Sequence, residues 1–188
     1  IAKRFIELRN EKVLILTHRI ELSIQTSKQL AAIGVANKVI NSDVKQIPDQ
    51  NEYHCFIAMV ETLNNRLTED DNFIKGVGLV VVDEAHYNSF RKIFQYYTTS
   101  NILGFTATPL SSNRNLPLND NYNKLLVGES ISSLIDNGYL ADAETLTYDV
   151  NLHGLNIGSN GDFTVKSSDL LYVKYFMQEK LLFAYEEV

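Results

Sequence analysis

Apolar residues recur along the chain in two alternating rhythms. Short apolar runs at 13–16, 55–60 and 79–82 predict buried strands, and the stretches at 35–40 and 101–106 predict two more. Between them apolar positions return every three or four residues, as on one face of a helix. A helix is accordingly expected over 2–8, closed by Asn10, and another from Ile20 to a stop at Gly34, with Ile20, Ile24, Ser27 and Ala31 inward. Residues 61–67 read as a short helix with Leu63 and Leu67 inward. Ser89 reads as the cap of one in which Phe90, Ile93, Phe94 and Tyr97 face the core. Strand and helix alternate throughout, the pattern of an α/β fold with a mainly parallel sheet sandwiched by helices. Beyond a loop at 110–123 rich in Asn, Ser and Pro, the pattern predicts a helix at 130–137 ended by Gly138 and a strand at 143–150. After a glycine- and asparagine-rich turn at 153–162 comes a closing helix at 169–186. It is expected to be capped by Ser167 or Ser168, with Leu170, Val173, Met177, Leu181 and Ala184 inward.

Composition narrows this picture without redirecting it. A chain of 188 residues is long enough for one well-cored domain and too short for two full α/β domains. Hydrophobic content of 45% with 21% charged residues is that of a soluble globular protein, and no apolar run is long enough to span a bilayer. The net charge of −6 argues against a surface coated in Lys and Arg, while leaving room for a local basic groove. A single cysteine, Cys55, excludes an internal disulfide and fits a reducing, cytoplasmic setting; its place in an apolar run predicts a buried, unreactive thiol.

The candidate chemistry lies where the 79–82 run ends in acid, in GLVVVDEAH at 78–86. Ligands of parallel sheets gather outside the carboxyl ends of the strands. Two adjacent carboxylates there, Asp83 and Glu84, suit Mg²⁺ on a phosphate, because that ion takes one or two protein carboxylates and completes its shell with phosphate and water. Asp83 would hold the ion and Glu84 would orient or deprotonate an attacking water. The competing reading is that the pair merely caps the following helix.

Three stretches stand in fixed order at successive strand ends: LILTHRIELSIQ, VVVDEAH and GFTATP. Together they resemble the first RecA-like motor domain of the superfamily 2 DEAH-type helicases and translocases, a P-loop NTPase fold. The resemblance implies a motor domain at 1–140 and a connector strand and helix at 141–188 leading toward a second motor domain. It implies ATP and Mg²⁺ as cofactors, with Asp83 and Glu84 at the metal and Glu84, Asp83 and His86 in the hydrolytic site. Thr106 and Thr108 match the motif that couples hydrolysis to domain movement. Thr17, His18 and Arg19 match a motif that meets the phosphodiester backbone, and Thr62, with Arg66, belongs to the next such motif. Read alone, the threonines would be strand-enders and Arg66 a solvated helix residue. The wording LTHRIEL is similar to the motors of restriction enzymes and DNA-repair helicases, pointing to DNA rather than RNA.

The departure from that family is large. No G-x-x-x-x-G-K-S/T loop, whose amides and lysine cradle phosphates, occurs in the chain, and the second motor domain is absent. The chain also begins in mid-helix without an initiator Met. It therefore reads as a fragment of a larger helicase, inactive alone and less stable than the full domain, since the missing loop's strand is central in the family. Two other readings stand beside the motor: a non-catalytic helicase-like module binding nucleic acid or protein, and an unrelated Mg²⁺-dependent α/β hydrolase, which the joint spacing of the last two motifs disfavours.

Overall fold

The computed structural model describes residues 1–147, 151–158 and 163–187, and packing divides the chain into two units, 1–127 and 128–188. The first unit carries the sheet. Strands β1 (Lys12–Thr17), β2 (Asn37–Ile40), β3 (Cys55–Met59), β4 (Val77–Val82) and β5 (Asn101–Gly104) are all parallel in the order β2-β3-β1-β4-β5. Parallel strands need crossovers, and these carry helices α2 (Ile20–Ala32), α3 (Val60–Glu69) and α4 (Arg91–Phe94), with α1 (Ala2–Arg9) leading into β1. Asn10 ends α1 in the left-handed conformation, φ 52°, and returns its N–H to Ile6 O.

Alternation along the strands splits the core in two. Leu14, Leu16, Phe56, Val80 and Val82 point to one face and meet Leu63, Leu67 and Ile93, whereas Val13, Cys55, Ile57 and Leu79 point to the other and meet Leu30, Phe5 and Ile6. On that second face Ile15, Val81 and Leu103 remain half-buried. Cys55 is fully buried, and burial pushes its thiol up to about 12.

Several details differ from the periodicity reading. Helix α2 turns Ser23 and Leu30 inward and leaves Ile24 46% exposed, because Ser23 Oγ is drawn to Thr17 Oγ1 at 2.7 Å and to Arg19 O at 3.3 Å. That polar anchor fixes the helix's rotation against the apolar count. Phe90, Ile93, Phe94 and Tyr97 are all buried as expected, but the first three lie on a 3-10 turn (Asn88–Phe90) and the single-turn α4, Tyr97 lies beyond α4, and Ser89 caps nothing. Gly104 is required by close approach: a Cβ there would lie 2.6 Å from Ala85 Cβ and 2.8 Å from Tyr122 Cε1.

In the second unit α5 (Ile131–Asp136) is capped by Ser130 Oγ, which accepts from Ser133 N at 3.1 Å, and Gly138 follows at φ 74°. The strand expected at 143–150 does not form over 143–147, and its last three residues lie outside the described ones. The closing helix is two, α6 (Val165–Tyr172) and α7 (Tyr175–Glu187). Thr164 rather than Ser167 caps the first; Ser167 is buried, and its Oγ accepts from Asn156 N at 3.0 Å. Leu171 and Met177 are buried there while Leu170, Val173 and Leu181 are exposed, so the single inward stripe is not realised. Among the described residues no helix is long and apolar enough to cross a membrane.

Candidate functional site

Because every strand runs the same way, all their carboxyl ends open on one edge of the sheet, and the residues singled out by motif collect there. The strand order pairs them. The β1 and β3 ends are neighbours, bringing Thr17–Arg19 beside the start of α3, and the β4 and β5 ends are neighbours, bringing Asp83–His86 beside Thr106. The seam between the two pairs is stitched by Asp83 N donating to Leu16 O at 3.0 Å.

Beyond β4 the chain turns at once. Glu84 takes φ 54°, a left-handed conformation that costs a glutamate about 1–3 kcal/mol and persists only where its surroundings hold it. The holding bonds are Ala85 N to Phe105 O at 2.8 Å and Tyr87 N to Glu84 O at 3.0 Å. The turn leaves Asp83 and Glu84 half-buried at the edge. It also brings His86 Nδ1 within 3.3 Å of Glu84 Oε2 and 2.9 Å of Thr106 Oγ1. Nδ1 is hydrogen-bonded to Thr106 Oγ1, and Glu84 Oε2 stands at ion-pairing distance from the same nitrogen. Thr106 Oγ1 in turn accepts from Thr108 N at 3.0 Å and donates to Thr108 O at 3.1 Å, while the Thr108 side chain stays exposed. The carboxylate turn and the threonine turn are thus joined through one imidazole.

The loop after β5 is tied to the same turn. Ser112 N donates to His86 O at 3.0 Å, and Asn88 Nδ2 donates to Ser111 Oγ and Ser112 Oγ, each at 2.9 Å. Arg91 donates to Asn88 Oδ1 at 3.0 Å, to Asp120 Oδ2 at 3.1 Å and to Pro117 O. Asn88 and Arg91 carry no signal in the sequence, since their partners in the loop after β5 are more than twenty residues away.

On the other side of the seam the expected phosphate contacts separate into two kinds. Thr17 is buried and its hydroxyl is held by Ser23 Oγ and Arg19 O, and Arg66 is 8% exposed with Nε on Val44 O at 2.9 Å and Nη2 on Ser42 O at 2.8 Å. Groups so engaged serve the fold and are not free for a phosphate. Arg19 is exposed, and His18 and Thr62 are half-buried. Helices α2 and α3 both begin at this edge, and neither has a side-chain cap on its first turn. Uncapped amides at a helix start favour anions.

A five-stranded parallel α/β sheet bearing an acidic turn and a threonine turn on one edge defines a RecA-like motor domain of superfamily 2 helicase type. The family model for the type III restriction enzyme res subunit matches residues 1–111, which include the whole sheet and both turns, and the chain belongs to that family. It is 28% identical over 169 residues to "Putative ATP-dependent helicase IRC3" of Saccharomyces cerevisiae, covering 81% of this chain and 23% of that protein. It is 26% identical over 162 residues to a "51.5 kDa protein" of a Lactococcus phage, covering 84% and 31%. The chain therefore spans less than a third of either relative. Among solved structures, a nuclease-deletion mutant of the type ISP restriction-modification enzyme LlaGI, in complex with a DNA substrate mimic, shares the fold. Its TM-score is 0.50 at 14% identity, over 73% of this chain and 17% of that one.

Proposed function

We propose that this chain is the hydrolytic and nucleic-acid-facing part of an ATP-dependent motor that moves along or separates DNA strands. The observation that carries the reading is the His86 bridge. One imidazole ties the carboxylate that would act on water to the threonine turn of the next strand, as a device that links hydrolysis to movement requires.

The donor set fits Mg²⁺ delivered with a nucleotide. Two adjacent carboxylates stand at a strand end, and among the described residues no group of three or more His, Cys, Asp or Glu could hold an ion by itself. A metal that takes most of its shell from phosphate and water suits such a site, with Asp83 as its ligand and Glu84 adjoining. When bound, Mg²⁺ neutralises charge on the phosphates. Glu84, held by its strained turn and its contact with His86, orients or deprotonates the attacking water. Thr106 and Thr108 pass the state of that turn to the loop beyond. The phosphodiester backbone lies along the uncapped starts of α2 and α3, with Arg19, His18 and Thr62 as contacts. Membership of a restriction-enzyme family and the wording of the β1 loop support DNA over RNA. With no G-x-x-x-x-G-K-S/T loop among its 188 residues, the chain by itself is inactive, and turnover belongs to the protein as encoded in full.

The test is ATP turnover by that full protein with duplex DNA, single-stranded DNA or RNA as stimulant, with and without Mg²⁺. Mg²⁺-dependent turnover that rises with DNA above RNA is expected. Retained binding with no turnover on any polymer would replace the motor by a non-catalytic nucleic-acid-binding module.

A further inference from the structure

The side chain directly after the acidic turn belongs to none of the motifs, yet it has the most telling neighbours. Tyr87 is 44% exposed. Its ring lies between two imidazoles. The centroid of His86 is 4.3 Å away at 38° between planes, and that of His18 is 5.3 Å away at 47°. His18 stands at the head of the β1 loop, between buried Thr17 and exposed Arg19, and its Nδ1 is buried with no hydrogen-bond partner. The His18 ring thus meets Tyr87 while its Nδ1 makes no polar bond. The two loops share a fixed base, because Asp83 N is held on Leu16 O at the seam, and above it their side chains meet at Tyr87.

We propose that Tyr87 is a positioning residue that couples the β1 loop to the hydrolytic turn. A polymer contacting Arg19 and His18 shifts the His18 ring, Tyr87 follows, and His86 is moved relative to Glu84 and Thr106. This rests on the motor reading above and adds to it the route by which a nucleic acid regulates hydrolysis. A stack of two aromatic contacts has two discrete arrangements available, stacked or parted, which is what a coupling element needs.

The experiment measures the ratio of DNA-stimulated to unstimulated ATP turnover in the full protein, for wild type, Tyr87→Ala, Tyr87→Phe and His18→Ala, together with the DNA dissociation constant and the KM for ATP. Tyr87→Ala is expected to lower the ratio about tenfold, the size suited to losing two aromatic contacts, with KM for ATP unmoved. Tyr87→Phe keeps the ring and is expected to keep the ratio, which also guards against a folding defect as the cause. At saturating DNA, where the phosphate contact of His18 no longer limits binding, combining His18→Ala with Tyr87→Ala should cost the ratio no more than either alone, since both break one path. A ratio unchanged in Tyr87→Ala, or losses that add in the double variant, overturns the coupling. Absence of DNA stimulation in the wild-type protein overturns the motor reading, and the coupling with it.

Discussion

Replacing Arg66 by Met separates the structural role of that residue from the phosphate contact its motif implies. The guanidinium donates to Val44 O at 2.9 Å and Ser42 O at 2.8 Å, pinning the loop after β2 to α3, and its ion pair with Glu69 is long, at 3.8 Å, to an exposed partner. That pair contributes little at the surface. Each charge-assisted bond to a carbonyl contributes about 1.5–3 kcal/mol. Ser42 is exposed, so its carbonyl regains water when the arginine is lost, and the lower figure applies. Two such bonds give about 3 kcal/mol lost on Arg66→Met, read by urea unfolding followed by circular dichroism. Arg66→Lys should recover no more than half, because an ammonium lacks the planar fork that spans two carbonyls. DNA affinity of the folded variants should be unchanged. A loss below about 1 kcal/mol accompanied by weakened DNA binding would refute the reasoning and return Arg66 to the nucleic-acid contacts.

Three further outcomes are expected. Burial raises the Cys55 thiol from 9.0 to about 12, so its contribution to stability is complete below pH 9 and is lost as pH climbs from 9 to 12, by about 3 kcal/mol at pH 11. The stability gap between wild type and Cys55→Val should shift by that amount over this range, and a gap that stays constant contradicts it. The Tyr97 hydroxyl is buried without a hydrogen-bond partner, so Tyr97→Phe should stabilise the protein by about 1 kcal/mol in urea, whereas a loss would reveal a partner for the phenol. Gly104→Ala places its Cβ 2.6 Å from Ala85 Cβ, between Glu84 and His86 in sequence. It should cost about 1–3 kcal/mol and lower ATP turnover of the full protein together, and a variant as stable and active as wild type contradicts the close packing.

The central strands β1, β3 and β4 were legible because each is a short apolar run that buries most of its residues, a pattern that needs no knowledge of partners, whereas the edge strands β2 and β5 are less buried. The four aromatic and aliphatic residues after the acidic turn were likewise legible as core, although their helix is a single turn. What periodicity missed was decided by polar atoms. Ser23 looks like a helix-surface residue until Thr17 and Arg19 draw it inward and turn Ile24 out. Thr164 and the burial of Ser167 similarly relocate the start of α6. At the site, the acid pair, His86 and the two threonines were legible as motifs. The left-handed φ of Glu84 was not, because a glutamate carries no signal for positive φ, and Tyr87 carries none either, because His18 is brought to it only by the strand order.

The proposed motor depends on Glu84 acting on the water that cleaves ATP. Glu84→Gln keeps the shape and the turn and removes the base, and single-turnover rapid-quench cleavage of ATP by the full protein isolates that step from binding and product release. ATP should bind with little change in affinity, and cleavage should slow about a hundredfold or more. Cleavage at the wild-type rate would contradict that role, leaving Glu84 as a residue that only shapes the turn.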